Sequence, residues 1–333
     1  HPDAPRNELG RSRQDYEGGL STLCAGCGHD SVSAALIDAC FELNIEPHKV
    51  AKLSGIGCSS KTPAYFLSGS HSFNSVHGRM PSVATGANLA NRDLIYIGIS
   101  GDGDTASIGL GQFAHVVRRN LNMTYIVENN GCYGLTKRQD SATMDTGTPN
   151  KKGDLNMYSP IDLARLAIEI GATFVGRSFS GDKQQLIPLI KAAISHRGFA
   201  LLDVVSPCVT FNNHGESTQS YEHMRSANTD MPVDFVPMRQ EITATYDSGA
   251  TCEECMHDGS VVRLYKQDND YDIEDRQSAL EATSHYAKEG KILTGLLYIQ
   301  RDSEELHDVL DTARRPLNSM NEQQLCPGPR FLD

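Results

Sequence analysis

A chain of 333 residues, 39% hydrophobic and 22% charged, can bury a sizeable core and carry an appendage, but is short for two large domains. Its net charge of −12 argues against a general nucleic-acid binder, which needs a basic footprint. No apolar run nears the ~20 residues that cross a bilayer, and His1-Pro2-Asp3-Ala4-Pro5 lacks the basic and apolar stretches of a secretory leader. A cytoplasmic protein with neither membrane nor nucleic-acid partner is expected, in which nine cysteines read as reduced thiols or metal ligands.

In chain order, Val32, Ala35, Leu36, Ala39, Cys40 and Leu43 recur at helical spacing, predicting a helix over 30–43 capped by Asp30 or Ser31. Residues 49–53 read as a strand ending in the loop Ser54-Gly55-Ile56-Gly57-Cys58-Ser59-Ser60-Lys61, and 81–91 as a small-residue helix. Strands are expected at 94–99 and 123–127 around a helix over 108–120; further helices at 161–170 and 182–196 alternate with strands at 173–175 and 199–205. Helices alternating with short apolar runs predict an α/β fold, a parallel twisted sheet with helices on both faces. Beyond about residue 212 the pattern turns polar, with a hairpin expected over 240–267 around His257-Asp258-Gly259 and a late strand at 292–299. The expected division is therefore 1–212 as the main domain and 213–333 as a small C-terminal extension that contacts a partner subunit.

Gly101-Asp102-Gly103-Asp104 directly follows one apolar strand, and Asn129-Asn130 closes the next. Glycines after a buried strand let backbone approach a ligand, and the following helix turns free N–H groups toward anionic phosphate. Asp102 offers a carboxylate oxygen and Asn130 an amide oxygen at the ends of two successive strands, the hard donors that Mg²⁺ prefers when it bridges protein to phosphate. The backbone carbonyl of Cys132 can complete that set. Either motif alone is compatible with an ordinary turn; together they point to a metal-held diphosphate.

Cys24-Ala25-Gly26-Cys27 precedes the first helix, Cys58 follows the first strand, and Cys208 follows the strand ending at Val205. In a parallel sheet all three places open on the C-terminal strand edge. Four thiolates there suit a zinc ion or an iron–sulfur cluster, and the chemistry of the residues leaves both open. Cys252-Glu253-Glu254-Cys255 reads as a solvated turn, Cys40 as a core residue, and Cys326 as lacking a partner.

Leu23-Cys24-Ala25-Gly26-Cys27-Gly28-His29, residues 54–61, His77-Gly78-Arg79, Gly101–Asp104 and Asn130-Gly131-Cys132-Tyr133-Gly134-Leu135-Thr136-Lys137 together resemble the β subunit of 2-oxoacid:ferredoxin oxidoreductases, over roughly residues 20–215 and onward. The paired GDG and Asn-Asn motifs resemble the thiamine diphosphate (ThDP) signature. The resemblance implies a CoA-dependent oxidative decarboxylation of a 2-oxoacid, with ThDP, Mg²⁺ and one [4Fe-4S] cluster, and ferredoxin as electron acceptor. It implies that Cys24, Cys27, Cys58 and Cys208 hold the cluster, and that Asp102, Asn130 and the Cys132 carbonyl hold Mg²⁺. Gly55, Ile56, Gly57, Cys58, His77, Gly101, Gly103, Asp104, Gly134, Leu135 and Thr136 would line the cofactor, with His77 approaching it and Lys61 facing the substrate carboxylate. For Lys61 and His77 the plainer readings are a solvated loop lysine and a structural histidine; His29 has no assigned role. Gln112 and Arg138 depart from the family's pattern, which has His and Gly there.

The closing stretch 317–327 resembles bacterial 2-oxoglutarate:ferredoxin oxidoreductases, with pyruvate as the runner-up substrate; Arg79 is one candidate for the distal carboxylate. No second α/β domain follows residue 212 to carry the glutamate a ThDP site needs, so an α subunit and an α₂β₂-like heterotetramer are implied. Competing readings are a cluster-free ThDP lyase or carboligase and a zinc-stabilised scaffold.

Overall fold

The hydrophobic pattern becomes one nine-stranded sheet in the computed structural model, which describes residues 4–136, 139–149, 152–209, 240–257 and 260–325. The strands are β1 (Val50–Ser54), β2 (His71–Asn74), β3 (Ile95–Gly101), β4 (Met123–Asn129), β7 (Phe174–Phe179), β8 (Phe199–Val205), β9 (Thr251–Cys255), β10 (Val261–Lys266) and β11 (Ile292–Ile299), with a separate small pair β5 (Cys132–Tyr133) and β6 (Gln139–Asp140). Their order is β2-β1-β3-β4-β8-β7-β11-β10-β9, and the first six run parallel.

Strand alternation divides the core between two faces. Phe199 and Leu201 of β8 pack with Phe113 and Val116 of α3 (Leu110–Arg118), Met80 and Ala84 of α2 (Met80–Ala90), and Leu163 of α4 (Leu163–Glu169). Ala200, Leu202 and Val204 face the other way, toward Val32 and Leu36 of α1 (Gly28–Glu42) and Leu186 and Ile190 of α5 (Lys183–Ser195). Phe113, Tyr125 and Phe199 meet as a cluster of tilted and edge-on rings with centroids 5.6–6.1 Å apart; truncating one such ring to Ala costs about 3–5 kcal/mol.

Two polar devices hold the sheet from within. Arg177 on β7 pairs with Asp203 on β8 at 3.0 Å and with Asp162, which also caps α4 by accepting from the Arg165 amide at 3.0 Å. Lys52, buried in β1, donates to the carbonyls of Pro63, Phe66 and Leu67 at 2.5–3.0 Å, fixing the segment beyond the first site loop.

Several boundaries differ from the sequence expectation. Helix α1 begins at Gly28 with Cys27 as its cap, because an added Cβ at Gly28 would lie 2.7 Å from the Ser180 and Ser206 hydroxyls: the helix start is pressed onto the strand ends. Residues 103–108 form a π-helical turn before α3, and 59–64 form a 3-10 turn. Strand β2 escaped notice because all four of its residues are exposed, leaving no apolar alternation.

The residues after 240 enlarge the same sheet. The expected hairpin is β9 and β10, although its tip residues Asp258 and Gly259 lie outside the described residues, as do Asn212-Asn213-His214-Gly215 and Cys326. β11 runs antiparallel to β7, and Ala279 of α6 (Arg276–Lys288), Leu293 and Leu297 join the apolar cluster that holds Phe113. The Cys252–Cys255 segment is a strand rather than the solvated turn expected; its residues alternate exposed and half-buried because β9 is an edge strand packed on one side only.

Candidate active site

Register brings the site loops to one edge. Ser54 aligns with Ile99, Gly101 with Glu128, and Asn129 with Val205, so the chain leaves β1, β3, β4 and β8 side by side.

Asp102 is 1% exposed at the end of β3. One carboxylate oxygen accepts from the Ser141 hydroxyl and, at 2.8 Å, from Thr143; the other meets the Asn130 amide N–H at 3.3 Å. Burial raises the carboxyl to about 6 against the pull of those donors, the setting in which a bound cation would favour the charged form. Asn130 bends its own carboxamide oxygen back to the Cys132 N–H at 3.2 Å. Asn129 instead does structural work: its side chain donates to Asp203 at 3.0 Å and its carbonyl accepts from Ser206 N–H at 2.7 Å.

Asp104, two residues on, serves the neighbouring loops. Its Oδ1 accepts from the amides of Gly78 at 2.7 Å and Ile56 at 3.2 Å and pairs with His77 Nδ1, while Oδ2 accepts from Ser100 at 2.5 Å. A Cβ at Gly55 would fall 1.7 Å from Oδ2, so only glycine fits there. The Gly55-Ile56-Gly57 loop and the His77-Gly78 turn thus hang from one carboxylate. Tyr133 covers Gly103, donating to its carbonyl at 3.0 Å and meeting the His77 ring edge-on at 5.9 Å.

The thiols gather beside this floor. Gly26 at φ +80° turns the chain so that Cys27 N–H reaches the Cys24 carbonyl at 3.0 Å, and Gly28 N–H bonds the Pro207 carbonyl, joining this turn to the Cys208 segment. Burial, then the nearby Cys208 sulfur, raises the Cys24 thiol and pushes Cys58 to about 11; Cys27 is also raised, chiefly by burial. Cys24, Cys27, Cys58 and Cys208 therefore converge, with Cys208 common to all. Among the described residues no three His, Cys, Asp or Glu side chains are drawn tightly enough to hold a single metal ion. His257 donates to the Gly26 carbonyl at 3.3 Å, laying the β9–β10 hairpin over the cysteine turn.

Other expected residues fall at the rim. Lys61 Nζ reaches the Thr22 carbonyl at 3.4 Å and bears on Cys24 and Cys58, on the thiol side of the site. Leu135 is exposed, and Thr136 bonds Gln139 at 2.9 Å in the exposed β5–β6 turn; Lys137 and Arg138 lie outside the described residues. Gln112 accepts from Ser82, away from the strand edge.

Sequence reasoning missed Ser141 and Thr143, which arrive from a loop without a motif, and Glu128. That carboxyl is wholly buried, its pKa pushed well up by burial, and takes the Thr62 hydroxyl at 2.9 and 3.1 Å with His29 3.7 Å away. His29, in turn, contacts Ser206 at 2.6 Å. A lone acid at the end of an apolar strand was the available signal.

Residues 55–204 match the family described as thiamine pyrophosphate enzyme, C-terminal TPP binding domain. The chain is 43% identical over 191 residues to a 2-oxoacid:ferredoxin oxidoreductase subunit beta from Saccharolobus solfataricus, covering 57% of this chain and 63% of that one. It is 41% identical over 193 residues to the 2-oxoglutarate synthase subunit KorB of Methanocaldococcus jannaschii, covering 57% and 70%. A solved 2-oxoglutarate:ferredoxin oxidoreductase from Magnetococcus marinus, with 2-oxoglutarate, coenzyme A and succinyl-CoA bound, superposes with a TM-score of 0.73 at 30% identity over 96% of each chain. The chain belongs to the family of 2-oxoacid:ferredoxin oxidoreductase β subunits.

Proposed function

We propose that this chain is the β subunit of a CoA-acylating 2-oxoglutarate:ferredoxin oxidoreductase, working in the cytoplasm with an α subunit and ferredoxin. The observation that carries the reading is the neighbourhood of Gly134. A Cβ there would lie 3.4 Å from the Cys208 sulfur, 3.7 Å from the Cys58 sulfur and 3.7 Å from the Asn130 amide nitrogen. One glycine thus touches both the thiols and the metal-binding asparagine, the proximity that an electron transfer out of a ThDP site requires.

When bound, ThDP supplies an electron sink for decarboxylation and the cluster a one-electron acceptor. Asp102 and Asn130, with the Cys132 carbonyl, would hold Mg²⁺ on the diphosphate. Asp104 orients the Ile56 loop and fixes His77 through Nδ1, leaving Nε2 for the cofactor or substrate. Lys61 supplies positive charge beside the thiols and, on this reading, the substrate carboxylate. Four thiols beside a ThDP site suit a [4Fe-4S] cluster, which accepts one electron, better than zinc, which does no redox chemistry. Succinyl-CoA formation is supported by the 2-oxoglutarate, coenzyme A and succinyl-CoA bound in the Magnetococcus enzyme and by the 2-oxoglutarate synthase name of a relative.

The test is anaerobic co-purification with the partner subunit, followed by viologen reduction with CoA and each of several 2-oxoacids. Reduction fastest with 2-oxoglutarate is expected, and preference for pyruvate would reassign the substrate. An iron-replete complex inactive with every acid refutes the reaction; an active ThDP enzyme without iron or acid-labile sulfide is the lyase or carboligase instead.

A further inference from the structure

A buried polar chain links the oxygen side of the site to the ion pair inside the sheet. Arg177 and Asp203 are cross-strand partners on β7 and β8, both buried. Asp203 Oδ2 accepts from Arg177 Nε at 3.0 Å, and its Oδ1 accepts from the Asn129 side-chain amide at 3.0 Å. Because a carboxylate only accepts, the Asn129 nitrogen must face Asp203; its oxygen then faces Gly131 N–H at 3.3 Å and the Thr143 hydroxyl at 3.2 Å. That hydroxyl in turn lies 2.8 Å from Asp102 Oδ2. Arg177 also pairs with Asp162, and Ile161 N–H reaches the Ala142 carbonyl at 2.7 Å, so Thr143 and Asp162 stand at the two joined ends of one loop. The ion pair therefore holds both ends of the segment that supplies Asp102 with its hydroxyl donors.

Resting on the reading of Asp102 as a magnesium ligand, we propose that Asp203 is a positioning residue: through Asn129 and Thr143 it sets the direction of the Asp102 carboxylate, and with it the affinity for the divalent cation. A buried ion pair adds little net stability; what this one supplies is a fixed orientation for the Asn129 amide. In Asp203→Asn the new side chain keeps one oxygen for two donors. The charged Arg177 makes the stronger bond and claims it, leaving an NH₂ group against Asn129, whose amide must then turn over. Turned over, it presents its own NH₂ group to Gly131 N–H and to Thr143, and the hydroxyl loses the amide oxygen that helps to hold it. The Asp102 carboxylate then rotates more freely, which matters for a cation that demands near-ideal octahedral geometry.

The experiment measures ThDP-dependent binding of Mn²⁺, a paramagnetic stand-in for Mg²⁺, to the αβ complex stripped of ThDP and divalent metal. Loss of the free-ion electron paramagnetic resonance signal gives the affinity, and thermal unfolding of each metal-free sample checks the fold. Wild type is compared with Asp203→Asn, Thr143→Val and the double variant; Asn129→Leu breaks the same link if Asp203→Asn does not fold. Each single variant is expected to weaken Mn²⁺ binding about tenfold, the double variant no further, and Thr143→Ser, which keeps the hydroxyl, to bind like wild type. Losses that multiply in the double variant overturn the proposal, because Asp203 then acts by a route other than Thr143. Wild-type affinity in folded Asp203→Asn and Asn129→Leu also overturns it, while leaving the magnesium reading intact. Wild-type complex that takes up ThDP without Mn²⁺ refutes that parent reading, and this one with it.

Discussion

The oxygen side and the sulfur side of this strand edge are built differently. Asp102 and Asp104 are both nearly fully buried and surrounded by donors, so the floor proposed for a diphosphate is hydrogen-bonded in place before anything binds. Around the cysteines proposed for the cage, burial and the nearness of the Cys208 sulfur raise the thiols, leaving them protonated until a ligand takes them. Magnesium demands near-ideal geometry from few protein oxygens, whereas a cluster imposes its own shape on the thiolates that bind it. One side is rigid in advance; the other is finished by its ligand.

Breaking the oxygen side should cost most. Asp104→Ala strands the Gly78 and Ile56 amides, His77 and Ser100 without their acceptor, and is expected to destabilise the cluster-free chain by about 3–5 kcal/mol in chemical denaturation. A loss below 1 kcal/mol would mean that the two loops do not depend on this carboxylate. The sulfur side should answer oppositely: Cys58→Ala is expected to lower bound iron severely yet shift cluster-free stability by about 1 kcal/mol or less. A large fall in cluster-free stability would make the thiol side as preformed as the oxygen side.

A third test uses a titration remote from both sides. His196 follows α5 at the opposite edge of the sheet, contacting Thr173 at 2.8 Å, and burial lowers its pKa to about 4. Between about pH 6.5 and 4 the unfolded chain takes up a proton here that the folded chain refuses. The stability is therefore complete above pH 6.5 and lost as pH falls, by about 2 kcal/mol at most. Denaturation midpoints at pH 7 and 5 should fall further for wild type than for His196→Gln; equal falls would refute it.

The residues proposed as metal donors and cage thiols could be placed from the sequence because each sits where a parallel strand ends, and that edge can be inferred from alternating helices and strands. Asp102 and Asp104 could not be separated that way. They differ only in which way the π-helical turn over 103–108 aims them, one toward Asn130 and the other toward Ile56 and Gly78. Ser141 and Thr143 come from a loop with no periodicity, and Cys132 was marked out only for its backbone carbonyl, by its position beside Asn130. Strand β9 looked like a turn because edge strands with one covered face carry many polar residues.

The reversal of direction at β11 reaches further than the sheet. Because β11 runs against β7, and β10 runs with β11, the hairpin joining β9 to β10 doubles back at the same rim as Cys24 and Cys27. His257 then clasps Gly26 from more than two hundred residues away. The turn that carries the first two sulfurs is thereby anchored by a late part of the polypeptide that contributes none of the four cysteines proposed for the cage.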